Sequence, residues 1–141
     1  MAERSTIIQQ APLRLIVSQW KDFPDGTGEA FAELESHLAT LKGRKFYGLV
    51  YETGSGMTYY AGLVPDSETE EQLFASLGFT IREVAGGSCA RRKLLNWRTK
   101  TDQIGTIIES MIREHGIDPT RPQMEFYRSL DELHLLLPIP S

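Results

Sequence analysis

The order of secondary-structure elements repeats between the two halves of this chain, and that order constrains the fold more than any single motif. In each half, residues 12–65 and 87–139, the pattern predicts a strand, a long helix, a strand, a turn and a strand. Apolar residues spaced by three and four indicate the long helices, at 29–43 and 101–116, because this spacing lines one helix face. Two such units joined edge to edge predict an α+β fold, in which a curved antiparallel sheet carries both long helices on one face and a ligand groove on the other.

Turn and cap residues place the remaining elements. Thr27 and Gly43 are the expected start and stop of the first long helix. Ser67 and Glu70 form a capping-box pattern, which predicts a shorter helix over 67–78. After a short polar start, strands are expected at 12–20, 45–52, 58–64, 79–84 and 88–97, and in a hairpin within 121–139.

Length and charge exclude several classes of protein. The chain has 141 residues and a formal net charge of −4, which fits a single domain over 1–141 and disfavours nucleic acid, whose phosphates require a positive surface. Its one cysteine, Cys89, indicates a reducing compartment and is expected to be a buried strand residue rather than a nucleophile. No apolar stretch approaches the roughly 20 residues of a membrane span, and no signal peptide is evident. We therefore expect a protein of the bacterial or archaeal cytoplasm with no membrane partner.

Glu125 is the residue that a purely structural interpretation explains least. It stands in the last hairpin within a segment that otherwise predicts a buried strand, and an unpaired buried carboxylate costs several kcal/mol. Laying residues 48–52 over 124–128 matches Leu49 with Glu125, and alternation along the strands then predicts which side chains share a face. The groove face is expected to carry Leu49, Tyr51, Glu125 and Tyr127, and the helix face to carry Phe46, Val50, Met124 and Phe126.

Several stretches resemble one family of proteins. They are FYGLVYE and MTYYAGLV in the middle of the chain, AGGSCA, the second long helix, and PQMEFYRSLDELHLLLPI at the end. Together they resemble the GyrI-like small-molecule-binding domain, the effector-binding domain of multidrug-responsive transcription regulators of the AraC type. The resemblance implies two strand-helix-strand-strand units around a cleft that binds lipophilic, often cationic, compounds through aromatic rings and a glutamate. Glu125 occupies the position of that glutamate.

Two departures from the family pattern lie in the second half. Residues 89–93 read Cys-Ala-Arg-Arg-Lys where the family carries aromatic and small apolar residues, and the usual glycine between strand and helix is absent near Trp97. The basic run is expected to be a solvated edge strand or an ion-pair partner for acidic loops. The chain shows no DNA-binding pattern, so the resemblance is to a free-standing form of the domain.

Aromatic residues supply the expected walls of the ligand site. Tyr59 and Tyr60 are adjacent in a strand, so only one of them can face the groove. Trp20 could form a rim or pack in the core. The ligand-binding candidates are Glu125, Tyr127, Tyr51, Leu49, Trp97, Tyr59 and Tyr60.

Three functions compete on these residues. The leading hypothesis is a stand-alone binding protein for lipophilic, cationic small molecules, in which a carboxylate and aromatic faces attract the cation. The second is a hydrolase of electrophilic compounds with Glu125 as general base, as the resemblance implies for one branch of the family. The third is a protein-interaction module, such as a topoisomerase inhibitor, with an unknown partner.

Other kinds of site find no support in the sequence. His37, His115 and His134 are scattered without metal-ligand spacing, so neither a metal nor a cofactor is expected. The TGSGM turn lacks the lysine and following helix of a phosphate loop, and Ser88 lacks the frame of a nucleophile elbow.

Overall fold

One antiparallel sheet with three α-helices forms the part of the chain that the computed structural model describes, residues 5–18, 21–22, 27–53 and 56–140. The strands are β1 Thr6–Gln10, β2 Leu13–Val17, β3 Lys21–Asp22, β4 Phe46–Thr53, β5 Gly56–Leu63, β6 Thr80–Val84, β7 Gly87–Leu95, β8 Gln123–Tyr127 and β9 Glu132–Pro138. The helices are α1 Thr27–Glu35, α2 Glu68–Ser76 and α3 Ile104–His115, with 3-10 turns at Trp97–Thr99 and Thr101–Gln103.

The two halves of the chain meet at the centre of the sheet. The strand order is β1-β7-β9-β8-β4-β5-β2-β6, with β3 beside β5, and β4 pairs with β8. Opposed residues of antiparallel strands share a face, so side chains can be followed across the sheet from strand to strand. One such row, all on the helix side, is Ile16, Leu63, Phe46, Tyr127, Leu133 and Leu94.

All three helices pack on this same face. Leu34 of α1 and Phe74 of α2 are buried in one cluster that includes Ile16 and Leu63. Met111 of α3 is buried in a second cluster, with Leu94, Leu133, Leu135 and Leu137 of the sheet. The expectation of an antiparallel sheet with both long helices on one face is therefore confirmed.

The sheet is curled, and on its opposite face side chains from its own strands pack against one another. This face carries a third cluster, in which Ile8 of β1 and Leu13 of β2 pack against buried residues of the central strands. The buried members of this cluster are Leu15, Val17, Tyr47, Leu49, Val84, Met124 and Leu136.

The first helix is shorter than its apolar spacing predicts. It ends at Glu35 rather than at Gly43, because the chain turns tightly there, with the His37 amide donating to Leu34 and the Leu38 amide to Glu35. Gly43 adopts a left-handed φ of 75° in the following loop and does not end the helix. The side chain of Thr27, the turn residues 23–26 and 54–55, and Trp20 lie outside the described residues.

The other elements follow the sequence patterns more closely. Ser67 caps α2 as expected, since its hydroxyl accepts a hydrogen bond of 3.1 Å from the Glu70 amide. The second long helix begins three residues late, at Ile104, after the two 3-10 turns. Strand β1 was not predicted, because its alternation is weak and most of its side chains are exposed; pairing with β7 is what makes it a strand.

Candidate functional site

The strand register places Glu125 on the helix face of the sheet. Glu125 lies opposite Gly48 of β4 and Leu135 of β9, whereas Leu49 lies opposite Met124. The prediction that Leu49 and Tyr51 share a face with Glu125 is therefore wrong. The overlay of the two halves was displaced by one residue, and a one-residue slip moves every side chain of a strand to the other face.

Glu125 is buried and held by two tyrosine hydroxyls. Its side chain is 8% exposed. The Tyr127 hydroxyl donates to Oε1 at 2.7 Å and the Tyr59 hydroxyl donates to the same oxygen at 3.2 Å. Within the described ranges no cationic side chain forms an ion pair with Glu125, and both hydrogen bonds are accepted by Oε1 rather than Oε2.

Burial controls the protonation of this cluster. It raises the pKa of Glu125, and the hydrogen bonds from Tyr127 and Tyr59 oppose the rise in part. Burial and the charge of Glu125 also raise the pKa of Tyr59 and of Tyr127 far above the ordinary tyrosine value. Both tyrosines therefore remain hydroxyl donors at neutral pH, and the carboxylate is the group whose charge can change.

Aromatic rings from both halves of the chain surround the hydrogen-bonded cluster. The Phe31 ring of α1 lies 5.0 Å from the Tyr127 ring and 6.1 Å from the Tyr59 ring, both edge to face. Trp97 lies 5.2 Å from Tyr127 on another side. Helix α1, which follows β3, and the 3-10 turn that follows β7 thus each bring one ring to Tyr127.

Asn96 explains how Trp97 reaches the cluster without the usual glycine. Asn96 itself adopts the left-handed conformation, with φ at 55°, a region that asparagine tolerates better than most residues. Its backbone N–H donates to the Asp131 carbonyl at 2.7 Å, and the Trp97 indole donates to the Ser129 carbonyl at 3.3 Å. The turn after β7 is thereby fixed to the β8–β9 hairpin, which carries Tyr127.

Gly48 provides the space that Tyr59 occupies. A Cβ atom at this position would lie 2.1 Å from the Tyr59 hydroxyl and 2.8 Å from Oε1 of Glu125. Glycine weakens a strand interior and often marks a close approach of another group. Gly48 and Phe31 were both missed by the sequence analysis; the isolated glycine inside β4 was a usable signal, whereas Phe31 matched an ordinary helix stripe.

Three of the predicted ligand residues lie on the other face of the sheet. Leu49 is fully buried in the cluster there. Tyr51 and Tyr60 contact each other edge to face at 5.8 Å, and the Arg82 guanidinium lies over both rings, at 5.0 and 4.4 Å. Of the adjacent pair, Tyr59 is thus the residue that joins Glu125, with Tyr127 and Trp97.

The basic run and the cysteine are structural where they are described. Strand β7 lies between β1 and β9 and is not an edge, so the expectation of an edge strand is wrong. Arg92 is 11% exposed, donates to Ser5 at 3.1 Å and lies 3.6 Å from Glu114. Cys89 is buried, and burial raises the pKa of its thiol, so it is not a ready nucleophile.

Other candidate sites are few in the described part of the chain. No group of three or more histidine, cysteine, aspartate or glutamate side chains within it is arranged to hold a metal ion. Among the described residues, none of the helices has both the length and the apolar character needed to cross a membrane. A depression of about 290 Å³ lies apart from the Glu125 cluster and is lined by Glu33, Ser36, His37, Leu77, Gly78 and Phe79.

Solved structures share this fold over almost the whole chain. An integron cassette protein from the mobile metagenome of Vibrio cholerae matches with a TM-score of 0.72 and 13% identity, covering 99% of this chain and 97% of its own. The protein SAV2435, solved bound to tetraphenylphosphonium, matches with a TM-score of 0.71 and 13% identity, covering 99% and 95%. A hydrolase from Listeria innocua matches with a TM-score of 0.62 and 12% identity, covering 99% and 93%.

These similarities concern the fold. No protein-family model matches the chain, and no curated protein sequence matches it at a significant level. The architecture fits a GyrI-like fold.

Proposed function

We propose that this protein binds lipophilic small molecules, preferentially cations, beside Glu125 on the helix face of the sheet. The observation that carries the proposal is a buried carboxylate that two tyrosine hydroxyls hold by one oxygen and that no cation neutralises within the described residues. Phe31, Trp97 and Tyr127 supply aromatic surface next to it. A bound cation would provide the missing positive charge.

The magnitudes favour a cation over a neutral compound of the same shape. A unit charge about 4 Å from the carboxylate gains on the order of 4 kcal/mol at an effective dielectric constant of 20, before desolvation is subtracted. Each aromatic face adds roughly 0.5 to 2 kcal/mol through cation–π contact. SAV2435, which shares the fold, was solved with the lipophilic cation tetraphenylphosphonium, and this supports the same ligand class here.

Titration with tetraphenylphosphonium tests the proposal directly. Trp97 contacts Tyr127, so its fluorescence should respond to a ligand at the site. We expect saturable binding by the wild type, and a loss of about tenfold or more in Glu125→Gln, the low end for a charge-assisted contact. Triphenylphosphine oxide, a neutral aryl compound, should bind with little difference between the two proteins.

Glu109→Gln is the matched control, because Glu109 lies exposed on α3 and the substitution removes the same charge. It should leave both affinities unchanged. An equal loss in the two variants would show that net charge, and not the buried carboxylate, attracts the cation. A folded wild-type protein that bound no lipophilic cation would contradict the proposed function.

A second function remains in competition, the hydrolysis of electrophilic compounds. Burial raises the pKa of Glu125, which is the change that makes a carboxylate a better general base near neutral pH. Glu125 would accept a proton from a water molecule while the water oxygen bonds to the electrophilic carbon; the carbon–oxygen bond of the epoxide or ester then breaks, and the departing oxygen takes up the proton. The fold shared with a Listeria innocua hydrolase supports a test of this chemistry. Turnover of epoxide or ester substrates by the wild type, abolished in Glu125→Gln, would favour the enzyme; binding without turnover favours the binding protein.

A further inference from the structure

Gly48 and Gly62 both lie in the middle of a strand, but they differ in which atoms occupy the space that a side chain would fill. A Cβ at Gly48 would collide with the Tyr59 hydroxyl at 2.1 Å and with Oε1 of Glu125 at 2.8 Å. A Cβ at Gly62 would meet the side chain of Leu15, with Cδ1 at 3.0 Å and Cβ at 3.4 Å. The two glycines lie on adjacent strands, and their positions lie on opposite faces of the sheet. Gly62 is therefore a natural comparison for Gly48.

The geometry points to Gly48 as a positioning residue that admits the Tyr59 hydroxyl to Glu125 and thereby keeps the carboxylate charged and able to attract a cation. This inference deepens the proposed function and rests on it. Without a side chain at Gly48, the Tyr59 ring approaches the backbone of β4 closely enough for its hydroxyl to reach Oε1.

The surroundings of Glu125 make the tyrosine hydroxyls decisive for its charge. Tyr59 of β5 and Tyr127 of β8 are the titratable groups in contact with it, while β4 and β9 present Gly48 and Leu135. The aromatic neighbours Phe31 and Trp97 pack on the two tyrosines and carry no charge, and α3 presents apolar residues to the sheet.

Among the described strands, the register places three cationic residues on this face: Arg92, Arg14 and Lys21, the last at the position opposite Tyr59. Arg14 pairs with Glu71 and Glu83. Arg92 lies opposite Leu135, two strands from Glu125; its Nη2 contacts Ser5 and Glu114, whereas its buried Nε has no hydrogen-bond partner among the described residues. Two hydrogen bonds therefore oppose the effect of burial, and the loss of either should favour the protonated carboxyl group.

A titration without ligand tests this inference. The carboxyl ¹³C chemical shift of Glu125 can be followed against pH by NMR in the wild type, Tyr59→Phe and Gly48→Ala. We expect both variants to raise the titration midpoint by about one pH unit, a roughly tenfold change in the ratio of ionised to protonated carboxyl. The double variant should shift by less than the sum, because both substitutions act through the same hydroxyl.

Gly62→Ala is the control for a general weakening of the sheet, and it should leave the midpoint of Glu125 unchanged. Tyr59→Phe keeps the backbone and the ring, so it decides the question even if Gly48→Ala does not fold. A midpoint in Tyr59→Phe equal to that of the wild type would overturn the inference. So would a shift in Gly62→Ala equal to that in Gly48→Ala.

Ligand affinity provides the second arm of the test. At pH values below both midpoints, tetraphenylphosphonium should bind about tenfold more weakly to Tyr59→Phe than to the wild type, and affinity should recover as the pH rises above both midpoints. A loss that persists at high pH would indicate a misplaced ligand instead and would count against this role of Gly48. If the wild type binds no cation while the NMR midpoints shift as expected, the proposed function fails and the positioning of Glu125 stands.

Discussion

Replacing Glu125 with glutamine removes a charge while keeping its shape, and the consequence for stability can be worked out from the contacts. Burial raises the pKa of Glu125, so the ionised form is less favourable in the folded chain than in the unfolded one. Below the ordinary glutamate pKa of about 4.3, both states are protonated and the substitution changes little. As the pH rises through that value towards the raised folded pKa, the wild type loses stability and the variant does not.

The hydrogen bonds set the size of the effect. Glu125 accepts one bond each from Tyr59 and Tyr127, and a neutral acceptor weakens each bond by about 1 kcal/mol, or roughly 2 kcal/mol together. The cost of burying an ionised carboxylate is larger, at several kcal/mol. We expect a net gain of roughly 1 kcal/mol for Glu125→Gln at about pH 8, which raises Tm by ~3 °C in a chain of this length.

Thermal unfolding of the wild type, Glu125→Gln and Glu109→Gln between about pH 4 and pH 8 measures this gain. The difference between Glu125→Gln and the wild type should grow with pH, while the exposed control stays level. A loss of about 3 kcal/mol or more at every pH is the signature of a broken buried ion pair. That result would refute the reasoning, because Glu125 would then have a cationic partner.

Three further substitutions test the fold. Ile107→Asp should lower the urea midpoint strongly, because Ile107 packs against the buried cluster that contains Met111 and Leu133, where an unpaired charge is costly; an unchanged midpoint would mean the helix face is misassigned. Arg121→Ala should cost about 3 kcal/mol or more in urea unfolding, since this buried guanidinium donates to the carbonyls of Ser88 at 2.8 Å and Ile139 at 3.0 Å; the exposed Arg113→Ala is its control. Asp118→Asn should destabilise the protein at neutral pH but not near pH 2, because hydrogen bonds from Thr120 and Arg121 lower the pKa of Asp118 to about 2 and that stabilisation disappears as the pH falls through this value; an equal loss at both pH values would contradict it.

The helices and most strands could be predicted because caps and apolar spacing depend only on residues that are close together in the sequence. Apolar spacing and caps placed α2 and α3 to within a few residues, and the order of strands and helices predicted the sheet. The end of α1 was missed because the stripe of apolar residues continues past Glu35, and Leu38 packs on the core from outside the helix.

The face of Glu125 was mispredicted because strand register is not a local property. Residues of β4 are buried on both sides of the sheet, Val50 on one and Leu49 on the other, so alternation gives no sign of which side is which. The overlay of the two halves supplied a register that no contact constrained. Only the pairing of Gly48 with Glu125 decides it, and that pairing joins strands that are far apart in the sequence.

The pairing of β1 with β7 has a consequence for how the chain is made. The two strands are distant in sequence, as the hydrogen bond of 2.7 Å between Gln9 and Ser88, 79 residues apart, illustrates. During synthesis on a ribosome, β1 emerges well before its partner. Its backbone N–H and C=O groups therefore lack their strand partners until β7 has been made. Contacts of such high sequence separation form late and slow folding. Shortening the chain by strand β1 would therefore leave β7 as an open strand edge, the kind of surface through which newly made proteins pair with one another and aggregate.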